Sequence, residues 1–301
     1  MSIRLHQVSK KYGDQQAVNQ ISFEVSKGQV VGFLGPNGAG KSTTMKMITG
    51  IIQPDEGCIE VCGIEVIGES LATKKRIGYL PEHNPLYLDM YVREYLAMIA
   101  SFHGMREADK KMQEAIERTG LLLEANKEIG QLSKGYRQRV GIAAAILHDP
   151  EVLILDEPTT GLDPNQILEI RSLIRQLGKE KTVLFSSHIL QEVEAICDHV
   201  IIIHKGNIVA NDAISAIKSL QDHQYITVQF SGSVSSEALM SLPGIQEVES
   251  NKQGGWILKS AESVDISKEL MSFALQHNLN IVSLQAQTRQ LEDVFKQLTG
   301  Q

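Results

Sequence analysis

The residues best suited to chemistry fall in a few short stretches. Gly35-Pro36-Asn37-Gly38-Ala39-Gly40-Lys41-Ser42 fits the spacing G-x-x-x-x-G-K-[ST] of a phosphate-binding loop. Glycines let a backbone curl its N–H groups around an anion. Lys41 is expected to reach the β- and γ-phosphates of a nucleotide, and the Ser42 hydroxyl to ligate Mg²⁺. Asp156 and Glu157 end the apolar run Val152-Leu153-Ile154-Leu155. Asp156 is placed to hold Mg²⁺ opposite Ser42. Glu157, one residue on, could accept a proton from an attacking water. His188 follows Ser186-Ser187, where an imidazole could bridge γ-phosphate and base, although a lone histidine is more often structural. Tyr12, in the turn 11–14, could stack on a purine or simply pack locally.

These groups need elements that bring them together. Val30, Val31, Phe33 and Leu34 read as a buried strand, and residues 43–50 as a helix ending at a glycine. Strand, loop and helix aim orphan N–H groups and the helix dipole at one point, which favours an anion. The run 152–155 reads as a central parallel strand, with Asp156 at its carboxyl end, where ligands of open α/β sheets sit. Thr182 to Phe185 reads as the next buried strand, leading to His188. Ser133 is a plausible N-cap for a helix with Val140, Ala143, Ala144 and Leu147 inward. Its glycine-containing, basic start (Lys134, Gly135, Arg137, Arg139) is either a second anion site or a solvated helix end. Glu82, His83 and Asn84 form a polar loop after the short strand 77–80 and could touch ligand.

Composition sets outer limits. The chain has 301 residues, 42% hydrophobic and 22% charged, which suits an ordinary globular protein of one large or two modest domains. A net charge of −7 argues against broad binding to nucleic-acid backbone. No apolar run approaches a membrane span, and the first residues carry no apolar signal core. A cytoplasmic protein is expected, whose membrane role, if any, comes through a partner. Cys58, Cys62 and Cys197 suggest neither a disulfide framework nor a zinc site.

Together the motifs resemble the ATP-binding cassette (ABC) family of ATPases, from about residue 3 to 210. GPNGAGKS at 35–42 resembles its Walker A motif and VLILDEP at 152–158 its Walker B motif with the glutamate. LSKGYRQR at 132–139 is similar to the family signature, with Lys134 and Tyr136 departing from LSGGQ. GLDP at 161–164 resembles the D-loop, and His188 the switch histidine. The resemblance implies Glu157, His188 and Lys41 as catalytic residues. It places nucleotide on Tyr12, Val18, residues 35–42, Thr43, Glu82, Ser133, Gly135 and Asp163, and Mg²⁺ on Ser42, Asp156 and Glu82. It also implies a head-to-tail homodimer in which Ser133 and Gly135 of one copy meet the γ-phosphate held by the other.

Glu82 stands where the family has its Q-loop glutamine, and a carboxylate cannot donate as an amide can. The implied fold is α/β: an ABC nucleotide-binding domain at 1–216 with a helical subdomain at about 85–148. A small α+β domain of βαββαβ order, ferredoxin-like, follows at 217–301 and ends in a helix at 289–298. The single cassette, lack of spans and C-terminal unit resemble the ATP-binding subunit of an ABC-2 type exporter. Residues 77–96 are similar to the gliding-motility branch. Such a subunit would sit on the inner face of the membrane, docked through residues 82–100 on a multi-span permease. The alternative is a soluble ABC ATPase acting on ribosomes or nucleic acid. Such proteins usually carry paired cassettes or long coiled coils, neither of which is present here.

Overall fold

The structure is a computed structural model that describes residues 1–68, 70–219, 223–251, 255–261 and 266–288. The chain divides into two units, 1–214 and 215–301.

The first unit opens with two long antiparallel strands, β1 (Ile3–Tyr12) and β2 (Gln15–Val25), turned at Gly13-Asp14. Ile21, Phe23 and Val25 are buried while Ser22 and Glu24 face water, the period-two pattern of a half-buried strand. Pairing shifts between Val8↔Ile21 and Lys10↔Val18, a bulge at which Gln20 takes a positive φ of 46°. The central strand β3 (Val30–Leu34) is buried at every position, as a strand with covered faces must be. It runs through the phosphate loop into helix α1 (Lys41–Ile48). Strands β4 (Glu56–Val61) and β5 (Ile64–Glu65) extend the antiparallel sheet, in the order β2-β1-β4-β5.

A short helix α2 (Leu71–Lys74) leads to β6 (Ile77–Leu80). The helical segment follows: α3 (Val92–Phe102), α4 (Ala108–Arg118) and α5 (Lys134–Ile146). Helix α5 is buried nearly all round, because it packs on β6 and against α3 and α4. Its sequence pattern pointed to a single face including Ala144; instead Gly141, Ile142, Ala145 and Ile146 are buried and Ala144 only partly so. Strand β7 (Val152–Leu155), helix α6 (Pro164–Gly178), strand β8 (Thr182–Ser187) and helix α7 (Leu190–Ile196) alternate. The hairpin β9 (His199–His204) and β10 (Asn207–Ala213) closes the main sheet, and α8 (Ile214–Ser219) follows. The order is β10-β9-β3-β8-β7-β6, parallel except for β10. A core of Ile3, Phe23, Phe33, Met45, Ile154 and Ile201 fills the space between the two sheets and α1. Phe23 and Phe33 join them, with ring centroids 5.7 Å apart. Among the described residues no helix is long and apolar enough to cross a membrane.

A histidine stack braces the helical segment. His103, which caps α3, lies 3.9 Å from His148, just past α5, with rings 8° from parallel. His148 also bonds the Ile77 carbonyl at 3.0 Å. Burial, then the neighbouring His103, lowers the His148 pKa from 6.5 to about 4. The folded state therefore prefers the neutral ring, whereas the unfolded chain takes up a proton below its ordinary pKa. Stability from this site is present above pH 6.5 and lost as pH falls toward about 4. Urea unfolding near pH 7 and near pH 5 will show it. Wild type loses up to about 2 kcal/mol more across that interval than His148→Gln. Equal losses would remove His148 from this role.

The second unit runs β11 (His223–Phe230), α9 (Ser236–Met240), β12 (Ile245–Ser250), β13 (Trp256–Ala261), α10 (Ile266–Gln276) and β14 (Ile281–Thr288). This is the expected β-α-β-β-α-β order. The sheet is antiparallel in the order β12-β13-β11-β14, that of a ferredoxin-like sandwich. Ile226, Val228, Leu258, Leu270 and Phe273 form its core. The last helix expected at 289–298 lies outside the described residues.

Candidate active site

The phosphate loop is pinned from several sides. Gly35 N–H donates to the Ser187 carbonyl at 3.3 Å, and Gly206 N–H to the Ala39 carbonyl at 2.9 Å. Gly40 caps α1 in the left-handed region, with φ 110°, and a Cβ there would lie 2.5 Å from the Ala17 carbonyl. No residue with a side chain fits that position without moving β2. The first turn of α1 therefore presents its free N–H groups to the loop's concavity.

Lys41 is buried, and its ammonium donates to the carbonyls of Gly35 at 2.7 Å and Pro36 at 3.2 Å. It also pairs with Glu157 Oε1 at 3.3 Å. That contact lacks hydrogen-bond geometry, so this buried carboxylate oxygen accepts no hydrogen bond. The other oxygen, Oε2, accepts from Thr160 Oγ1 at 2.9 Å and meets His188 Nδ1 at 2.9 Å. Glu157 is itself strained, with φ 49° in a region that L side chains seldom occupy. Its amide donates to Ser186 Oγ at 2.8 Å, and that hydroxyl donates to Asp156 Oδ1 at 2.6 Å. The ends of three strands, β3, β7 and β8, thus deliver a cation, two carboxylates and an imidazole to one place.

An open cleft of about 340 Å³ lies over this cluster, lined by Tyr12, Gln15, Ala17, Ser42, Glu82 and Glu157, with the loop between. Of the residues anticipated from sequence, Asn37, Gly38, Gly40, Lys41 and Thr43 also line it. Tyr12 is half exposed at its rim. Gly35, Pro36 and Ala39 are not part of its lining, and His188 joins through Glu157. Asp156 is buried beneath and held by Ser186. Burial, with the carboxylates of Asp156 and Glu82, pushes the nearby Tyr79 hydroxyl well above its ordinary range. Val18 is a correction. It is fully buried in the core, because the bulge at Asn19-Gln20 keeps it in phase with Ile21; Gln15 and Ala17 face the cleft instead. Among the described residues no three His, Cys, Asp or Glu side chains group as a metal site.

Ser133, Gly135 and Asp163 do not line this cleft but gather around Gln166 elsewhere. Asp163 caps α6 by accepting from Gln166 N–H at 2.9 Å. Gln166 Nε2 donates to Ser133 Oγ at 3.4 Å, and a Cβ on Gly135 would strike Gln166. Ser133 caps α5, as its type suggested. Asn84 Nδ2 donates to the Arg137 carbonyl at 3.0 Å, joining the loop after Glu82 to α5. Sequence reasoning gave no roles to Thr160, Ser186 or Gln166. Thr160 and Ser186 carry hydroxyls directly beside the carboxylates and the histidine, and that adjacency is the signal that could have found them.

Comparison with known proteins gives the same picture. The sequence profile described as ABC transporter matches residues 18–160. The chain is 36% identical to the bacitracin transport ATP-binding protein BcrA of Bacillus licheniformis, over 99% of this chain and 97% of that protein. It is 35% identical to the linearmycin resistance ATP-binding protein LnrL of Bacillus subtilis (strain 168), over 99% and 98%. Among solved structures it is similar to the ATP-binding cassette MJ0796 in a dimeric post-hydrolysis state bound to ADP and Pi. The TM-score is 0.64 and the identity 25%, over 70% of this chain and 98% of that one.

Proposed function

This chain belongs to the ABC transporter family as an ATP-binding, ATP-hydrolysing subunit, and on that premise we propose that it energises an ABC-2 type exporter. One observation carries the hydrolytic reading: Glu157 sits between Lys41 at 3.3 Å and His188 at 2.9 Å beneath the phosphate loop. Glu157 takes the proton of the attacking water, and His188 holds that carboxylate in place. Lys41 exchanges its carbonyl and carboxylate partners for phosphate oxygens.

Ser42 and Asp156, with Glu82 at the rim, would hold Mg²⁺. A hydroxyl and carboxylates suit a hard cation that completes its shell with phosphate oxygens and water. The ion supplies charge neutralisation when bound. Tyr12 stacks on the base. The patch of Ser133, Gly135 and Asp163 closes on the nucleotide of a second copy, so that two chains enclose two ATP molecules.

The surface over residues 82–100 is the docking face for a multi-span permease on the inner side of the membrane. Tyr87, Leu88 and Tyr91 are exposed there to 60%, 47% and 43%, in support of an apolar contact. The two Bacillus relatives, a bacitracin transport protein and a linearmycin resistance protein, support outward transport. A place in gliding-motility machinery is a narrower form of the same reading and rests on residues 77–96 alone.

The test is to purify the tagged chain from its native membranes in mild detergent and identify stoichiometric partners. The expected result is a multi-span protein with two copies of this chain. Ribosomal or nucleic-acid material with no such protein would overturn the exporter reading.

A further inference from the structure

Glu192, on α7, has no part in the cluster above, yet it is only 1% exposed. A carboxylate buried that deeply needs partners to offset its lost hydration. Two hydroxyls donate to the same oxygen, Oε2: Thr159 Oγ1 at 2.7 Å and Ser187 Oγ at 2.7 Å. Thr159 lies two residues beyond Glu157 and next to Thr160, which itself bonds Glu157. Ser187 immediately precedes His188. Its hydroxyl also accepts from Ile189 N–H at 3.0 Å, so the backbone on both sides of His188 is tied to one side chain. The other oxygen, Oε1, faces Arg171 Nη2 of α6 at 3.7 Å. One buried charge therefore joins the loop after β7 to the loop after β8. His188 and Glu157 ride on those two loops.

We propose that Glu192 is a positioning residue for hydrolysis, a clamp that sets the loops carrying Glu157 and His188 in register. Buried behind the two loops, it acts through the pair. The inference rests on the reading of Glu157 and His188 as the hydrolytic pair. The two hydroxyl hydrogen bonds are charge-assisted and shielded from water, which makes them strong and directional. Without them the loops gain freedom, and His188 Nδ1 no longer meets Glu157 Oε2 reliably. Small misplacements of a catalytic pair lower turnover steeply while leaving distant binding contacts intact.

The experiment is ATP turnover and ATP binding by the full chain with Glu192→Ala, Glu192→Gln, His188→Ala and the Glu192→Ala/His188→Ala double variant. Glu192→Ala lowers kcat about 10- to 100-fold, with the dissociation constant for ATP within about two-fold of wild type. Glu192→Gln keeps a carbonyl acceptor for the hydroxyls and recovers part of the loss. The double variant turns over no more slowly than His188→Ala alone, since a clamp has nothing to position once the imidazole is gone. Should Glu192→Ala fail to fold, Ser187→Ala and Thr159→Val carry the same cycle with the buried charge in place.

Losses that multiply in the double variant mark a merely structural residue and overturn the proposal. So does normal turnover in Glu192→Ala beside a loss in His188→Ala. Normal turnover in His188→Ala overturns the underlying reading of the pair, and the proposal falls with it.

Discussion

Glu157→Gln slows ATP turnover by on the order of 10²–10⁴ while the chain still binds ATP. The two side chains have nearly the same shape, so the substitution isolates protonation chemistry. Glutamine can still accept from Thr160 Oγ1 in place of Oε2, where the bond is now 2.9 Å. It cannot take a proton from water. Binding should be unchanged or tighter. The carboxylate stands 3.3 Å from the Lys41 ammonium, and removing that anion frees the cation for phosphate. Steady-state phosphate release, with equilibrium binding of ATP, checks both halves. Unchanged turnover would remove Glu157 from its role.

Lys41→Ala acts on the other side of the same ion pair, with the opposite signature. The ammonium is buried and held by two loop carbonyls, at 2.7 and 3.2 Å, that define the cradle. Its loss removes the only side-chain cation lining the cleft among the described residues. Charge-assisted hydrogen bonds to phosphate are worth about 1.5–3 kcal/mol, so ATP affinity falls by on the order of 10². Turnover falls with it at every ATP concentration below saturation. The variant also leaves Glu157 beneath the loop without its cation, a further cost to the local structure. Calorimetric titration with ATP checks the affinity. Wild-type affinity would mean that backbone N–H groups alone hold the phosphates.

Much of this was legible in the sequence because local chemistry dictated it. A buried apolar strand, a glycine loop and a helix start leave few alternatives at residues 30–48. Asp156 and Glu157 declare themselves by ending a run with no polar residue. The βαββαβ order at 223–288 follows from short alternating segments separated by turn residues. What was hidden depended on contacts between distant segments. Val18 looked available to nucleotide until the bulge at Gln20 reset the phase of β2. Helix α5 looked one-sided, because nothing local announces that β6, α3 and α4 surround it. Nothing local in the sequence marks the hydroxyls of Thr159, Thr160, Ser186 and Ser187. Only the parallel pairing of β7 with β8 sets them around the carboxylates.

On the proposed reading, the cleft around residues 35–42 binds ATP and Glu157 drives its hydrolysis. The most direct measurement mixes radiolabelled ATP and Mg²⁺ with the Glu157→Gln and Lys41→Ala chains, then identifies the nucleotide retained after rapid gel filtration. Close to one intact ATP per chain is expected on Glu157→Gln and almost none on Lys41→Ala. ADP on Glu157→Gln, or equal retention by the two variants, would contradict that reading.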